Sequence, residues 1–227
     1  MHIMEGFLPL EWALFWYLLS APFVIFGMLK VKKLVGADPK QKILLAVSGA
    51  FIFVLSSLKL PSVTGSSSHP TGTGMSAILY GPAITAFLAS IVLLFQAVLL
   101  AHGGITTLGA DIFSMGIAGP FVAWAIFKAT KPLKLHWTVR VFLAALLSDW
   151  VTYLVTSLQL ALAYPGASIL ASFLTFSAVF ALTQIPIAIA EGVLFVVFFD
   201  FLLRSKPKTI SNLIGEDMLA GTTKPQK

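Results

Sequence analysis

The chain opens Met1-His2-Ile3-Met4-Glu5-Gly6-Phe7-Leu8-Pro9, placing an α-amine and an imidazole one residue apart. The amine, the His2 backbone nitrogen and His2 Nδ1 can close around one divalent ion once amine and imidazole are neutral and the intervening amide has lost its proton. A fourth nitrogen would complete a plane. All-nitrogen, square-planar ligation suits Ni(II) or Cu(II) and accepts low-spin Co(II), whereas calcium and magnesium want oxygen. The plainer alternative for His2 is an exposed terminal residue. A second imidazole, His69, sits in Thr64-Gly65-Ser66-Ser67-Ser68-His69-Pro70-Thr71-Gly72-Thr73-Gly74. The glycines permit a tight path, Pro70 restricts the backbone of His69, and the hydroxyls of Ser67, Ser68 and Thr71 could orient the ring from outside the ligand set. An ordinary polar turn has the same composition. A phosphate cradle is excluded, since the Gly-Lys-Ser/Thr ending of a P-loop is missing. With no cysteine in the chain, thiolate metal sites, iron–sulfur clusters and disulfides are excluded too.

Other polar residues stand near the same end. His102, beside Gly103 and Gly104, either supports a metal site or is an interfacial histidine. Gln96 and Asp111 could hydrogen-bond a ligating imidazole and fix its tautomer, or serve as a packing polar group and a helix cap. His136 lies in a basic loop and is set aside. Glu11, Lys59 and Asp200 fall near the ends of apolar stretches, leaving Asp149 and Glu191 as charges deep within them. Such charges are functional candidates because they are costly there; the alternative is pairing between helices.

The elements that must position these groups are membrane helices. Of 227 residues, 58% are hydrophobic and only 11% charged, less than half the usual charged share of about 25%, and the mean hydropathy is +0.94. Apolar blocks cover residues 12–29, 43–58, 77–101, 112–127, 139–163 and 168–203. In lipid only helices or closed barrels satisfy the backbone, and these blocks lack barrel-like alternation. An all-α, polytopic membrane bundle follows. Nucleic-acid binding is not indicated despite a net charge of +6, because the basic residues sit between apolar runs, as in cytoplasmic loops. Lys30, Lys32, Lys33, Lys40 and Lys42, then Lys128, Lys131, Lys134 and Arg140, then Arg204, Lys206 and Lys208 mark the cytoplasmic side. The N-terminus is therefore expected outside and the C-terminus inside. Only three blocks separate the first two cytoplasmic loops, an odd number, so a further short or re-entrant piece is expected within residues 74–82, giving about seven crossings. The last block, 36 residues or about 54 Å of helix, exceeds a hydrocarbon core of about 30 Å, and a break at Pro186 and Gly192 is expected. Residues 1–203 read as one membrane domain and 204–227 as a cytoplasmic, frayed tail. No Lys or Arg precedes Lys30, so no cleavable signal is expected and Met1 should be the mature terminus.

Residues 1–9 and 66–74, with Gln96-Ala97-Val98-Leu99-Leu100-Ala101-His102-Gly103-Gly104-Ile105-Thr106-Thr107-Leu108-Gly109-Ala110-Asp111, resemble the CbiM/NikM family of cobalt and nickel transport proteins. The likeness runs from Met1 to about Leu203. It implies a seven-helix substrate-binding (S) component of an energy-coupling factor transporter in the cell membrane, without ATPase motif or resident cofactor of its own. It implies a transmembrane coupling (T) subunit, two ATP-binding cassette ATPase subunits and a small accessory membrane subunit as partners, and Co(II), alternatively Ni(II), as cargo. Cobalt so imported would supply cobalamin synthesis. The implied ligands map to Met1, His2 and His69. Ala46 and Ala50, small residues four apart on one helix face, allow close helix approach; the resemblance favours docking to the coupling subunit, with internal packing as the alternative. An intramembrane enzyme would need an open metal site and a general base, and no His-Glu-x-x-His is present. A proton-coupled carrier using Asp149 and Glu191 is the remaining rival.

Overall fold

The computed structural model describes residues 2–62 and 65–215. The chain forms a bundle of helices carrying one small sheet. The helices are α1 (Leu10–Ala37), α2 (Gln41–Ser56), α3 (Thr73–Tyr80), α4 (Pro82–Leu100), α5 (Leu108–Asp111), α6 (Gly119–Ala129), α7 (Trp137–Ala163), α8 (Ile169–Ser205) and α9 (Pro207–Ile214), with a wider π-helical segment, Ile112–Ala118, joining α5 to α6. Five stretches are long and apolar enough to cross a membrane: α1, α4, residues 108–129, α7 and α8. Their outer faces are greasy, with Leu18, Leu182 and Val197 exposed, while Ser148, Asp149, Thr152, Thr156, Gln159, Gln184 and Glu191 are buried. This inversion of the soluble pattern is what a lipid solvent selects.

Where a short extra piece was expected, within residues 74–82, the structure has α3. Its eight residues span only about 12 Å. Gly81, at φ 83° and ψ 164°, turns the chain in a conformation that a side chain would disfavour, and Pro82 opens α4 at the position where its missing N–H is harmless. The turn lines one depression with Phe26, Lys30, Trp124 and Lys128, so α3 ends at the basic end of the bundle. Non-helical residues ahead of it, 66–69 and 71–72, are buried; irregular backbone at membrane depth is tolerated only when protein covers it. α2, an apolar helix of 16 residues, is also shorter than the five stretches of membrane-crossing length.

Two expectations are corrected. Pro186 and Gly192 do not break the last block: α8 runs unbroken for 37 residues. Gly192 is instead a contact glycine, since a Cβ there would lie 2.6 Å from the Phe142 ring, and intramembrane prolines are accommodated when neighbouring helices support the backbone. The segment after Arg204 is not frayed throughout, because α9 tucks Ile210 into a core that includes Met75, Leu79, Phe127, Trp137 and Phe199. Residues 216–227 of the expected tail lie outside the described residues. Asp200 pairs with Arg204 at 2.7 Å at the surface.

The sheet was not foreseen. Its strands β1 (His2–Ile3), β2 (Leu60–Pro61) and β3 (Ser66–Ser68) lie in the order β1-β3-β2, antiparallel, with His2 opposite Ser67 and Leu60 opposite Ser68.

Candidate metal centre

The start of the chain is drawn into the bundle by backbone bonds. β1 pairs with β3, Met4 N–H donates to the Gly65 carbonyl at 2.8 Å, Ile3 N–H donates to Asp111 Oδ1 at 2.8 Å, and Thr107 Oγ1 donates to the Ile3 carbonyl at 2.7 Å. Ile3 packs with Leu8, Trp16, Tyr153 and Phe180. A dipeptide strand satisfied on both edges is fixed in register, and that register sets the direction of the His2 side chain.

His69 follows β3 and is held from below. Gln184 Nε2 donates to its carbonyl at 3.1 Å and, at 2.9 Å, to Asp149 Oδ1. Glu191 accepts from Thr71 N–H at 2.7 Å, Thr71 Oγ1 at 2.8 Å and Gly72 N–H at 2.8 Å. The two buried acids thus serve the histidine loop rather than merely pairing helices. Gln184, unremarked in the sequence, is the link; an amide inside an apolar block was the available signal.

Three imidazoles converge. His2, His69 and His102 are 1%, 0% and 3% exposed, and one nitrogen from each lies within 4.8 Å of the others, the group among the described residues able to hold a metal ion. His2 Nδ1 and His69 Nε2 stand 2.5 Å apart. Two nitrogens about 2.0 Å from one ion and at a right angle to each other would be about 2.8 Å apart, so this spacing resembles that of adjacent ligands. His69 Nδ1 lies 2.8 Å from the Pro70 carbonyl. A carbonyl only accepts, so Nδ1 carries the proton and Nε2 presents its lone pair.

Burial pushes the His2 ring well below the usual histidine range, with the neighbouring His69 charge adding to it. Burial, helped by His102, does the same to His69, and burial takes His102 down to about 4. Neutral rings are the form that binds metal. The same shifts predict a stability trend. Below the ordinary histidine value of 6.5 the unfolded chain takes up protons that the buried rings refuse, so stability is held above that pH and lost as pH falls toward the folded values. The thermal midpoint of metal-free protein should decline between about pH 6.5 and about pH 4; a flat or rising midpoint would contradict neutral buried rings.

The remaining sequence candidates are placed as follows. Met1 lies outside the described residues. Ser67 Oγ contacts His102 Nε2 at 2.9 Å, orienting that ring rather than His69. Ser68 bonds Thr183 at 2.8 Å, and Thr71 bonds Glu191, so neither orients an imidazole as expected. Gln96 Nε2 bonds Ser56 Oγ at 2.7 Å and the Phe53 carbonyl at 3.2 Å, tying α4 to α2, and the side chain also interacts with His2. Asp111 takes the Ile3 amide instead of an imidazole proton. His102 is not an interfacial residue but a buried member of the cluster. His136 caps α7 away from the cluster, accepting from Thr138 N–H. Ala46 and Ala50 line an open apolar groove with Val31, Gly49, Phe87 and Ile91, between α1, α2 and α4; they are not consumed by internal packing there.

Comparison with known proteins agrees with this architecture. Residues 2–209 match the CbiM family model, described as cobalt uptake substrate-specific transmembrane region. A cobalt transport protein CbiM of Carboxydothermus hydrogenoformans is 57% identical over 204 residues, covering 90% of this chain and 84% of the relative. One of Chlorobium limicola is 58% identical over 202 residues, covering 88% and 80%. Among solved structures, a truncated transition metal transporter superposes with a TM-score of 0.79 at 25% identity, covering 90% of this chain and 99% of the other. With a family model matching nearly its whole length and relatives above half identity, this multi-pass membrane chain belongs to the CbiM family.

Proposed function

We propose that the chain is the substrate-capture component of an ATP-driven energy-coupling factor importer for divalent cobalt, supplying cobalamin synthesis. The observation that carries this reading is the buried pair of His2 Nδ1 and His69 Nε2, 2.5 Å apart, with the tautomer of His69 set by the Pro70 carbonyl. Met1 contributes its amine, His2 its amide nitrogen and Nδ1, and His69 its Nε2. An all-nitrogen plane of neutral donors suits Co(II) and Ni(II) and rejects the abundant oxygen-seeking cations. Membership of the CbiM family supports cobalt transport. Nickel is the second reading, favoured by the same square of nitrogens.

Lysine-rich loops put the opposite end of the bundle in the cytoplasm and the histidines outside, in the plasma membrane of a bacterium or archaeon. Binding alone moves nothing, and a chain without a phosphate-binding loop needs partners: a coupling membrane subunit docked on the groove of Ala46 and Ala50, two ATPase subunits, and a small accessory membrane subunit. A proton-coupled carrier is less well supported, because Glu191 already accepts three hydrogen bonds from the histidine loop.

Protein purified with an unmodified first residue should contain about one Co or Ni ion per chain by elemental analysis. His69→Ala should weaken binding by about 100-fold, a direct ligand being worth at least as much as the 10–100-fold of an outer partner. Undiminished affinity in that variant would remove His69 from the ligand set. In liposomes, ion movement by the chain alone, driven by a proton gradient, would replace the ATP-driven reading with the carrier.

A further inference from the structure

The depression beside the turn between α3 and α4 plays no part in metal capture. It encloses about 500 Å³, within the roughly 300–1,000 Å³ typical of small-molecule sites. Lys30 from α1 and Lys128 from α6 both reach it. Their ammonium groups lie over the rings of Phe26 and Trp124, 4.8 Å and 4.4 Å from the centroids, and both rings belong to its wall. Among the described residues neither lysine has a carboxylate partner, and no lining residue is acidic. Gly81, Pro82 and Ala83 line it too, so α4 begins there. The first amides of a helix lack intrahelical acceptors and favour an anion.

The position of this hollow says which anion it suits. Lysines near the ends of membrane helices extend toward the headgroups, and tryptophan settles at the same level. The hollow therefore opens where the phosphates of the cytoplasmic leaflet lie. Phe121 also lines it, about 10 Å along α6 from Lys128 toward the membrane interior, and is 42% exposed. A free phosphate would meet the two cations and leave that greasy wall uncovered, whereas a lipid fills both parts. We propose that the depression binds an anionic phospholipid of the cytoplasmic leaflet, its phosphate between Lys30 and Lys128 at the start of α4 and an acyl chain along Phe121. Basic pockets between membrane helices on the cytoplasmic side recognise anionic headgroups in this way. A zwitterionic lipid has the same phosphate, but its own ammonium cancels the attraction. The inference goes beyond the capture reading and takes from it only the cytoplasmic placement of the lysine-rich end.

The test titrates full-length protein in detergent with phosphatidylglycerol, phosphatidylcholine or inorganic phosphate and counts bound lipid by native mass spectrometry. Phosphatidylglycerol should saturate near one per chain, about tenfold tighter than phosphatidylcholine, and inorganic phosphate at equal concentration should not displace it. Lys30→Gln and Lys128→Gln should each weaken it about fivefold, and together about 25-fold. Lys33→Gln with Lys40→Gln removes the same charge at the same end, from exposed positions outside the depression, and should stay within about twofold of native. Equal binding of the two lipids, or an equal loss in that control pair, would overturn the proposal, because general attraction to a basic surface produces both. Displacement by inorganic phosphate would replace the lipid with a soluble anion. A Lys30→Gln, Lys128→Gln protein that keeps lipid but no longer assembles with coupling partners would make the depression a protein-docking surface instead. Lys30 and Lys128 are themselves exposed, so the single variants carry the test if the double variant does not fold. Native protein that binds the lipid but no cobalt would sink the capture reading and leave this proposal standing.

Discussion

One alanine added before Met1, or acetylation of the amine, is expected to reduce affinity for Co(II) and Ni(II) by about 100-fold or more, exceeding the 10–100-fold typical of outer-sphere changes because a ligand itself is lost. Extension turns a basic amine into an amide nitrogen, which binds a metal only after giving up a proton held far more tightly. Room is short as well, because His2 is 1% and Ile3 0% exposed and Ile3 is fixed through both its N–H and its carbonyl. Titration calorimetry on native and extended proteins measures the effect, with the thermal midpoint as a check on folding. An extended protein that folds and binds within about threefold of the native one would mean that the amine is no ligand.

Glu191→Ala should be the most damaging single change away from the imidazoles. It removes three hydrogen bonds to the turn at Thr71 and Gly72 and strands two backbone N–H groups where water does not reach. Unsatisfied buried groups cost about 1–3 kcal/mol each, and relief from burying the carboxylate offsets part of the sum. A net loss of about 3 kcal/mol would lower the thermal midpoint by about 10 °C in a chain of this size. Metal affinity should fall too, since the turn that carries His69 has lost its anchor. Val193→Ala on the exposed face of α8 is the control and should change neither. If Glu191→Ala melts like the control and binds metal normally, the carboxylate does not position the histidine loop.

The network gives Asp149 and Glu191 a meaning that their hydropathy context alone could not. Their position inside apolar blocks marked them as costly, hence functional candidates, but cost does not reveal a partner. Glu191 is 120 residues from Thr71, and Asp149 reaches the His69 carbonyl only through Gln184. The expected break at Pro186 and Gly192 failed for a related reason. A local rule treats both as helix breakers, whereas the ring of Phe142, on a neighbouring helix, needs the space that Gly192 leaves.

Read without the fold, the residues gave the bundle and its basic end and marked Met1-His2 as a candidate chelator, because apolar block length, lysine placement and the chemistry of an amine beside an imidazole are local properties. His69 and its hydroxyl-rich loop were visible as a candidate second donor, and charge parity called for a short extra piece within residues 74–82, where α3 lies. Only the tertiary structure decided that His2 and His69 meet, that His102 packs against both rings, and that Asp111 holds the first strand by its backbone. It also turned a frayed tail into α9. The physical reason is that each of these outcomes depends on pairing or packing between segments far apart in the chain, such as β1 with β3 across 65 residues of sequence separation at His2 and Ser67. Spacing within one segment holds no record of such an encounter until the backbone bonds that fix it are made.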